Sequence, residues 1–265
     1  MFFPNRSKRN WYAEKQKRKG FILEGVTSVF QRYEKKYLLN EEAYQALRQA
    51  MAPYTEPDRF YRSFIVSLYF DTPDWLLTRR SEEKPVFKER LRLRCYGVPE
   101  AETPTFVEMK RKAKGTVYKR REVLPYEAAY RFLTEDAAES PPGLVFRELK
   151  AFRQRYPGLA PAMVIAYDRE SLAGTKQEGL RITFDHNLVW RTEDLDLRDG
   201  RDGQPLLEEG QRLMEIKVLG AMPLWLARAL SETGIFPQSY SKIGTAFRAL
   251  RSTSFRHSRE VLQHV

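Results

Sequence analysis

Several stretches of the chain alternate polar and apolar side chains with a period of two, the mark of strands that bury one face and not the other. Val26–Leu39 puts Arg32, Glu34 and Lys36 on one face and Tyr33, Lys35 and Tyr37 on the other. Phe64–Phe70, rich in β-branched and aromatic residues, reads as a second strand. The most regular stretch is Lys88–Gly97, where Lys88, Arg90, Arg92 and Arg94 share one parity and Leu91, Leu93 and Cys95 the other. Four like charges spaced two residues apart repel along a strand, so this row is favourable only against a polyanion or interleaved carboxylates. Downstream strands keep the pattern. Phe106–Lys112 aligns Glu108, Lys110 and Lys112, and Thr116–Leu124 aligns Lys119, Arg121 and Val123. Ala162–Leu172 sets Tyr167, Arg169 and Ser171 in phase, and Leu180–Leu188 does the same for Arg181, Thr183 and Asp185. In Leu213–Leu219, Leu213, Glu215 and Lys217 oppose Met214, Ile216 and Val218.

Between these strands the period lengthens to that of helices, over 41–51, 126–133, 143–156, 222–233 and 242–251. Asn40 with Glu41 and Glu42 opens the first helix as N-cap and acidic first turn, and Pro53 follows its end. Asp71–Asp74 reads as a turn leading into a helical turn at Trp75–Arg80, and Asp194–Gly210 as a polar surface excursion. A sandwich would scatter such charges over its outside. A closed antiparallel barrel does the reverse, with charge lining a tunnel and the apolar parity outward beneath the helices. The expectation is an α+β fold, a single barrel domain over 26–251, flanked by a basic tail at 1–25 and a polar tail at 252–265.

Composition sharpens this picture. With 265 residues, 42% hydrophobic and 13% aromatic, the chain has enough apolar surface for a real core. Its formal charge of +11 implies an anionic partner: phosphorylated small molecules, nucleic acid or an anionic membrane surface. The single cysteine, Cys95, excludes an internal disulfide and a cysteine-based zinc site, and suits a reducing cytoplasm. No apolar segment follows the basic N-terminus, and no apolar run reaches bilayer length, which argues against a secretory leader and a membrane span. His186, His257 and His264 lack metal-ligand spacing. Tyr33, Tyr37, Tyr69 and Phe70 are expected to pack on the barrel exterior, and Asp71-Thr72 to cap a turn. For any one lysine or arginine, a solvated or salt-bridged surface position is the ordinary alternative to ligand binding.

The ordered set of short motifs resembles the triphosphate tunnel metalloenzyme (CYTH-like) superfamily, and within it the vacuolar transporter chaperone (VTC) polyphosphate polymerase domain. The matching segments are Arg32–Tyr37, Ser67–Thr72, Arg92–Gly97, Phe106–Lys110, Tyr167–Arg169, Arg181–Asp185, Met214–Lys217 and Ser241-Lys242. The resemblance implies transfer of the γ-phosphoryl group of ATP onto a growing inorganic polyphosphate chain, with release of ADP. It implies Lys36, Arg92, Arg94, Lys110, Arg181 and Lys242 as the catalytic lining. Lys88, Arg90, Lys119, Arg121, Arg169 and Lys217 would be further phosphate ligands. Glu215 would hold Mn2+ or Mg2+, with Glu34 and Glu108 either assisting or pairing with lysines. A lining poor in carboxylates leans toward polymerase, because a terminal phosphate is already an anion whereas water needs orienting. Arg32 stands where the superfamily's hydrolases carry the first carboxylate of a Glu-x-Glu-x-Lys strand, which fits the polymerase branch. Cys95 replaces that branch's usual tryptophan. The alternatives are a metal-dependent tri- or polyphosphatase of the same fold and a non-catalytic polyanion-binding module. ATP, ADP and polyphosphate are the expected partners, with no specific nucleic acid. The expected location is the cytoplasm, with association to a membrane or a membrane-protein partner, and the oligomeric state, left open.

Overall fold

The computed structural model describes residues 32–83, 85–114, 116–135 and 143–263, with side chains described to residue 253. The basic tail at 1–25, the start of the first predicted strand and Gly115 fall outside the described residues, as does the 136–142 loop with Pro141 and Pro142.

Each strand forms where the alternation lies, several running longer than their apolar signal. They are β1 (Arg32–Leu39), β2 (Thr55–Asp71), β3 (Phe87–Tyr96), β4 (Pro104–Ala113), β5 (Thr116–Pro125), β6 (Ala160–Gly174), β7 (Arg181–Arg191), β8 (Gln204–Pro205) and β9 (Arg212–Leu219). β2 exceeds its predicted span because its polar N-terminal arm pairs with the end of β6, from Thr55 opposite Gly174 onward. All pairings are antiparallel and build one sheet in the order β1-β9-β7-β6-β2-β3-β4-β5, with β8 beside β7. The sheet curls on itself: Lys36 on β1 feels the charge of Lys110 on β4, near the far end of this order. Gln238 donates its backbone N–H to the Lys36 carbonyl at 2.8 Å, so the segment before the last helix runs along β1.

The helices are α1 (Glu41–Met51), α2 (Leu76–Glu82), α3 (Tyr126–Thr134), α4 (Leu144–Arg155), α5 (Leu224–Glu232) and α6 (Lys242–Gln263). The Asn40 side chain caps α1 by accepting from the Ala43 N–H at 2.8 Å. Asp71 is the cap that its position at a turn predicted. Its carboxylate accepts from the Leu77 and Thr78 N–H groups at 2.9 Å and from the Thr78 hydroxyl at 2.7 Å. Residues 194–210 are more than a polar excursion: they carry a short 3-10 turn, Leu197–Asp199, whose Leu197 is fully buried.

Apolar parity faces outward under helices at two places. Val66, Leu68, Phe70, Leu91, Leu93, Cys95, Val107 and Met109 meet Ala129, Phe132 and Leu133 of α3 and Phe146, Leu149 and Phe152 of α4. Tyr37, Leu39, Ile182, Phe184, Met214, Ile216 and Val218 meet α1 and α5. At roughly 25 cal/mol per Å2 of buried apolar surface, both seams stabilise the fold.

The last helix departs from expectation. It does not join the outer coat. Ile243 and Ala246 of α6 pack on Ile65, Tyr69, Ile165 and Tyr167, residues of the inward parity. It also continues to Gln263 rather than ending at Arg251. An amphipathic stripe specifies that a helix lies on a sheet, not which face of a curled sheet receives it.

Candidate functional site

Register brings the in-phase charged rows together on the inner face. Arg92 lies opposite Glu108, which lies opposite Arg121, and Arg90 lies opposite Lys110, which lies opposite Lys119. On the other half, Lys36 lies opposite Glu215, which lies opposite Thr183, and Glu34 opposite Lys217, which lies opposite Arg181. Gly179 permits the turn into β7 at φ +79°, and a side chain there would collide with Leu219 at the end of β9.

The β3–β5 half is built around one carboxylate. Glu108 is buried and accepts from Arg92 Nε at 2.7 Å, Arg121 Nε at 2.7 Å and Lys119 Nζ at 2.6 Å. Burial opposes its ionisation, but Arg92, Arg94 and Lys119 outweigh burial and hold its carboxyl well below the usual carboxylate range. Of the two roles left open for Glu108, the structure shows the pairing. Three cations share this one anion, while among the described residues Lys88 and Arg90 donate to Ser81, to its carbonyl and hydroxyl oxygens respectively. Lys110 is exposed on the same face. Burial, then the nearby Arg90, Lys112 and Lys110, lower the pKa of the Lys88 ammonium.

The other half centres on Asp185, which is fully buried. Arg169 donates to it through Nε at 2.6 Å and Nη2 at 2.8 Å, and Lys242 Nζ donates at 2.6 Å. Burial would raise the Asp185 pKa, but Lys242 and Arg169 more than reverse that and leave it well below the usual range. Lys242 reaches this point because Ser241 starts α6 inside the sheet, its hydroxyl accepting from the Gly244 N–H at 3.2 Å. Lys36 is tied to the Tyr240 carbonyl at 3.0 Å, and burial lowers its pKa ahead of the opposing pull of Glu215. Arg181 is held at the strand's end by Asp58 at 2.8 Å and Ser171 at 3.0 Å.

Two tyrosines belong to this face. Tyr69 was expected outside and instead points inward, opposite Arg92 in register, with Arg92 Nη1 donating to its hydroxyl at 3.2 Å. Burial pushes its phenol up, but Arg92, Arg94 and Arg90 outweigh burial and bring its pKa down to about 7. Arg94 donates to Ser67 at 3.0 Å and to the Tyr167 hydroxyl at 3.2 Å, while Lys242 sits 4.4 Å from the Tyr167 ring. Tyr167 thereby joins the two halves. Asp185, Tyr69, Tyr167 and Ser67 were absent from the predicted site, although each shares the parity of the charged rows. Tyr33 is exposed, while Tyr37 and Phe70 pack outside as expected.

A family model for the VTC domain matches residues 31–251. The chain belongs to the VTC domain family. No curated protein matches it. Among solved structures, a candidate adenylate cyclase from Bacillus halodurans is similar at 17% identity, covering 78% of this chain and 92% of its own, with a TM-score of 0.48. A Hippeastrum protein, a candidate adenylyl cyclase described as having a dominant triphosphatase activity, shares 17% identity over 84% of this chain and 96% of its own, TM-score 0.48. The Mimivirus capping enzyme triphosphatase shares 8% identity over 88% and 98%, TM-score 0.35.

For a divalent cation, the fit turns on donor chemistry. Among the described residues no three His, Cys, Asp or Glu gather as a metal cage. Glu215 and Glu34 do share the inner face on adjacent strands, two residues apart in register. Mg2+ commonly takes one or two carboxylates and completes its shell with phosphate oxygens and water. The pair fits that use. Glu215 is ionised: burial opposes this, but Lys217, Lys36 and Arg169 lower its pKa. No helix among the described residues is long and apolar enough to cross a membrane.

Proposed function

We propose that this face binds a phosphate chain and transfers the γ-phosphoryl group of ATP to its end, making polyphosphate and ADP. The observation that carries the reading is the surplus of cations over carboxylates on the inner face of the sheet. Arg92, Lys119 and Arg121 share Glu108, and Arg169 and Lys242 share Asp185. Arg90, Lys88 and Lys110 add charge with no carboxylate bonded to them among the described residues. Membership of the VTC domain family supports phosphate-chain chemistry for such a lining.

In the transfer, an oxygen of the terminal phosphate attacks the γ-phosphorus as its bond to the ADP oxygen breaks. Such transfer runs through a loose transition state, so positioning and charge neutralisation supply most of the catalysis. Arg92 and Arg94 suit bidentate contacts to phosphoryl oxygens, fixed from behind by Glu108, Tyr69, Ser67 and Tyr167. Lys36, Lys110, Arg169, Arg181 and Lys242 neutralise neighbouring phosphates, and Lys119, Arg121 and Lys217 extend the track. A divalent cation held by Glu215 and Glu34 would supply Lewis-acid neutralisation of phosphate oxygens.

One observation favours hydrolysis as a second reading. Tyr69, with a phenol brought to about 7, is a group able to take a proton from water at neutral pH. Incubation with ATP and Mn2+ separates the readings by product. Polymer with matching ADP supports transfer, orthophosphate supports hydrolysis, and neither product leaves a binding module.

A further inference from the structure

The inner face holds a buried hydroxyl that the ion-pair network leaves unused. Thr183 is buried, with 2% of its surface exposed, and its Oγ1 has no hydrogen-bond partner among the described residues. Its neighbours are all engaged. Ser171, across on β6, accepts from Arg181 and donates to Asp58, and Glu215, across on β9, is paired with Lys217. An unpaired buried hydroxyl is costly, and valine would fill the same shape without that cost. Arg181 and Asp185 flank it along β7, Glu215 stands opposite on β9, Lys217 and Arg169 lie diagonally across, and Lys36 stands beyond Glu215. Asp185 is engaged by Arg169 and Lys242 and Glu215 by Lys217, and a hydroxyl proton beside Arg181, Lys217 and Lys36 suits an anionic oxygen.

We propose that Thr183 is a phosphate-positioning residue, its hydroxyl donating to a phosphoryl oxygen of a tri- or polyphosphate chain laid across Lys217, Arg181 and Lys36. The inference rests on the phosphate-chain reading given above and adds a neutral contact to a lining of cations. Without the anion, the Lys217 ammonium rests on Glu215 and the hydroxyl is covered. With it, the ammonium turns to the phosphate and the hydroxyl gains its partner.

The test is calorimetric titration of tripolyphosphate into wild type, Thr183→Val, Thr183→Ser and the Arg92→Ala/Arg94→Ala double variant, with the ligand-free thermal midpoint of each. Thr183→Val should bind about tenfold more weakly, as loss of one hydrogen bond to a charged group predicts. Its ligand-free midpoint should be unchanged or higher, because a methyl replaces an unpaired hydroxyl. Thr183→Ser should keep most of the affinity. Wild-type affinity in Thr183→Val overturns the inference alone, provided the double variant has lost binding. A midpoint lowered by several degrees in Thr183→Val overturns it too, by showing that the hydroxyl is paired in the folded protein. Absence of tripolyphosphate binding by wild type overturns both this inference and the phosphate-chain reading.

Discussion

Two buried glutamates on neighbouring strands show how differently the sheet's faces use the same chemistry. Glu89 on β3 faces outward and accepts from Arg111, from Arg155 at 2.8 Å and from the Tyr156 hydroxyl at 2.8 Å. Arg155 ends α4 and Tyr156 follows it, so this carboxylate bolts a helix to the sheet. Glu108 on β4 faces inward and gathers Arg92, Lys119 and Arg121, all from strands. Outside, the anion is the centre and each partner closes a joint between elements. Inside, cations outnumber the anion and more cations stand beside them. A cluster that ties a helix to the sheet serves stability. A face left positive carries self-repulsion that a polyanion relieves.

The largest expected effect comes from breaking the inner cluster. Arg92→Ala with Arg94→Ala should lower ATP turnover by about 1,000-fold or more, the scale of losing preorganised charge at a phosphoryl group. Its thermal midpoint should hold or rise as repulsion along β3 falls. Unfolding of the double variant would make the arginines structural.

Breaking the outer cluster should do the opposite. Glu89→Gln removes a fully buried charge from between Arg111 and Arg155, at a cost of about 3 kcal/mol measured by urea unfolding. Tripolyphosphate affinity of the folded fraction should be retained.

Glu108→Gln sharpens the contrast within the inner face. Freeing three cations should tighten tripolyphosphate binding about fivefold, near 1 kcal/mol. Weakened Mn2+ binding without gain in phosphate affinity would make Glu108 a metal ligand instead.

The smallest effect is a pH dependence. As pH rises through about 7, Tyr69 deprotonates and offsets part of the Arg92 charge, so tripolyphosphate affinity should fall a few-fold between pH 6 and 8.5 in wild type. Tyr69→Phe should flatten that change, and tyrosinate absorbance should report the same titration. The sign for stability follows from linkage. The folded value lies below the ordinary phenol value near 10, so the contribution is fully present above that and is lost as pH falls through about 7. The stability gap between wild type and Tyr69→Phe should therefore widen from pH 7 upward.

Alternation alone placed most of this face. Lys88, Arg90, Arg92 and Arg94 share a parity, and the structure turns that parity inward beside Glu108 and Lys110. Tyr69 was misread because its type suggests packing, although its parity matches Ser67 and its register partner is Arg92. Parity was the better guide than residue type. Asp185 was legible as in phase with Arg181 and Thr183, but its role depends on Lys242, 57 positions away, entering from α6. That contact follows from the last helix packing on the inner face, which no local pattern specifies. Likewise, no periodicity distinguishes Glu89, an acidic residue on an apolar parity, from a solvated charge until α4 is seen to cover it.

The most direct measurement is the tripolyphosphate affinity of folded Arg92→Ala/Arg94→Ala beside that of folded Arg155→Ala. Both variants remove arginine from a glutamate cluster, one on each face of the same sheet. Loss of binding in the inner variant with wild-type binding in the outer one is the predicted result. Equal affinity in the two would contradict the assignment of the inner face as the phosphate-binding surface.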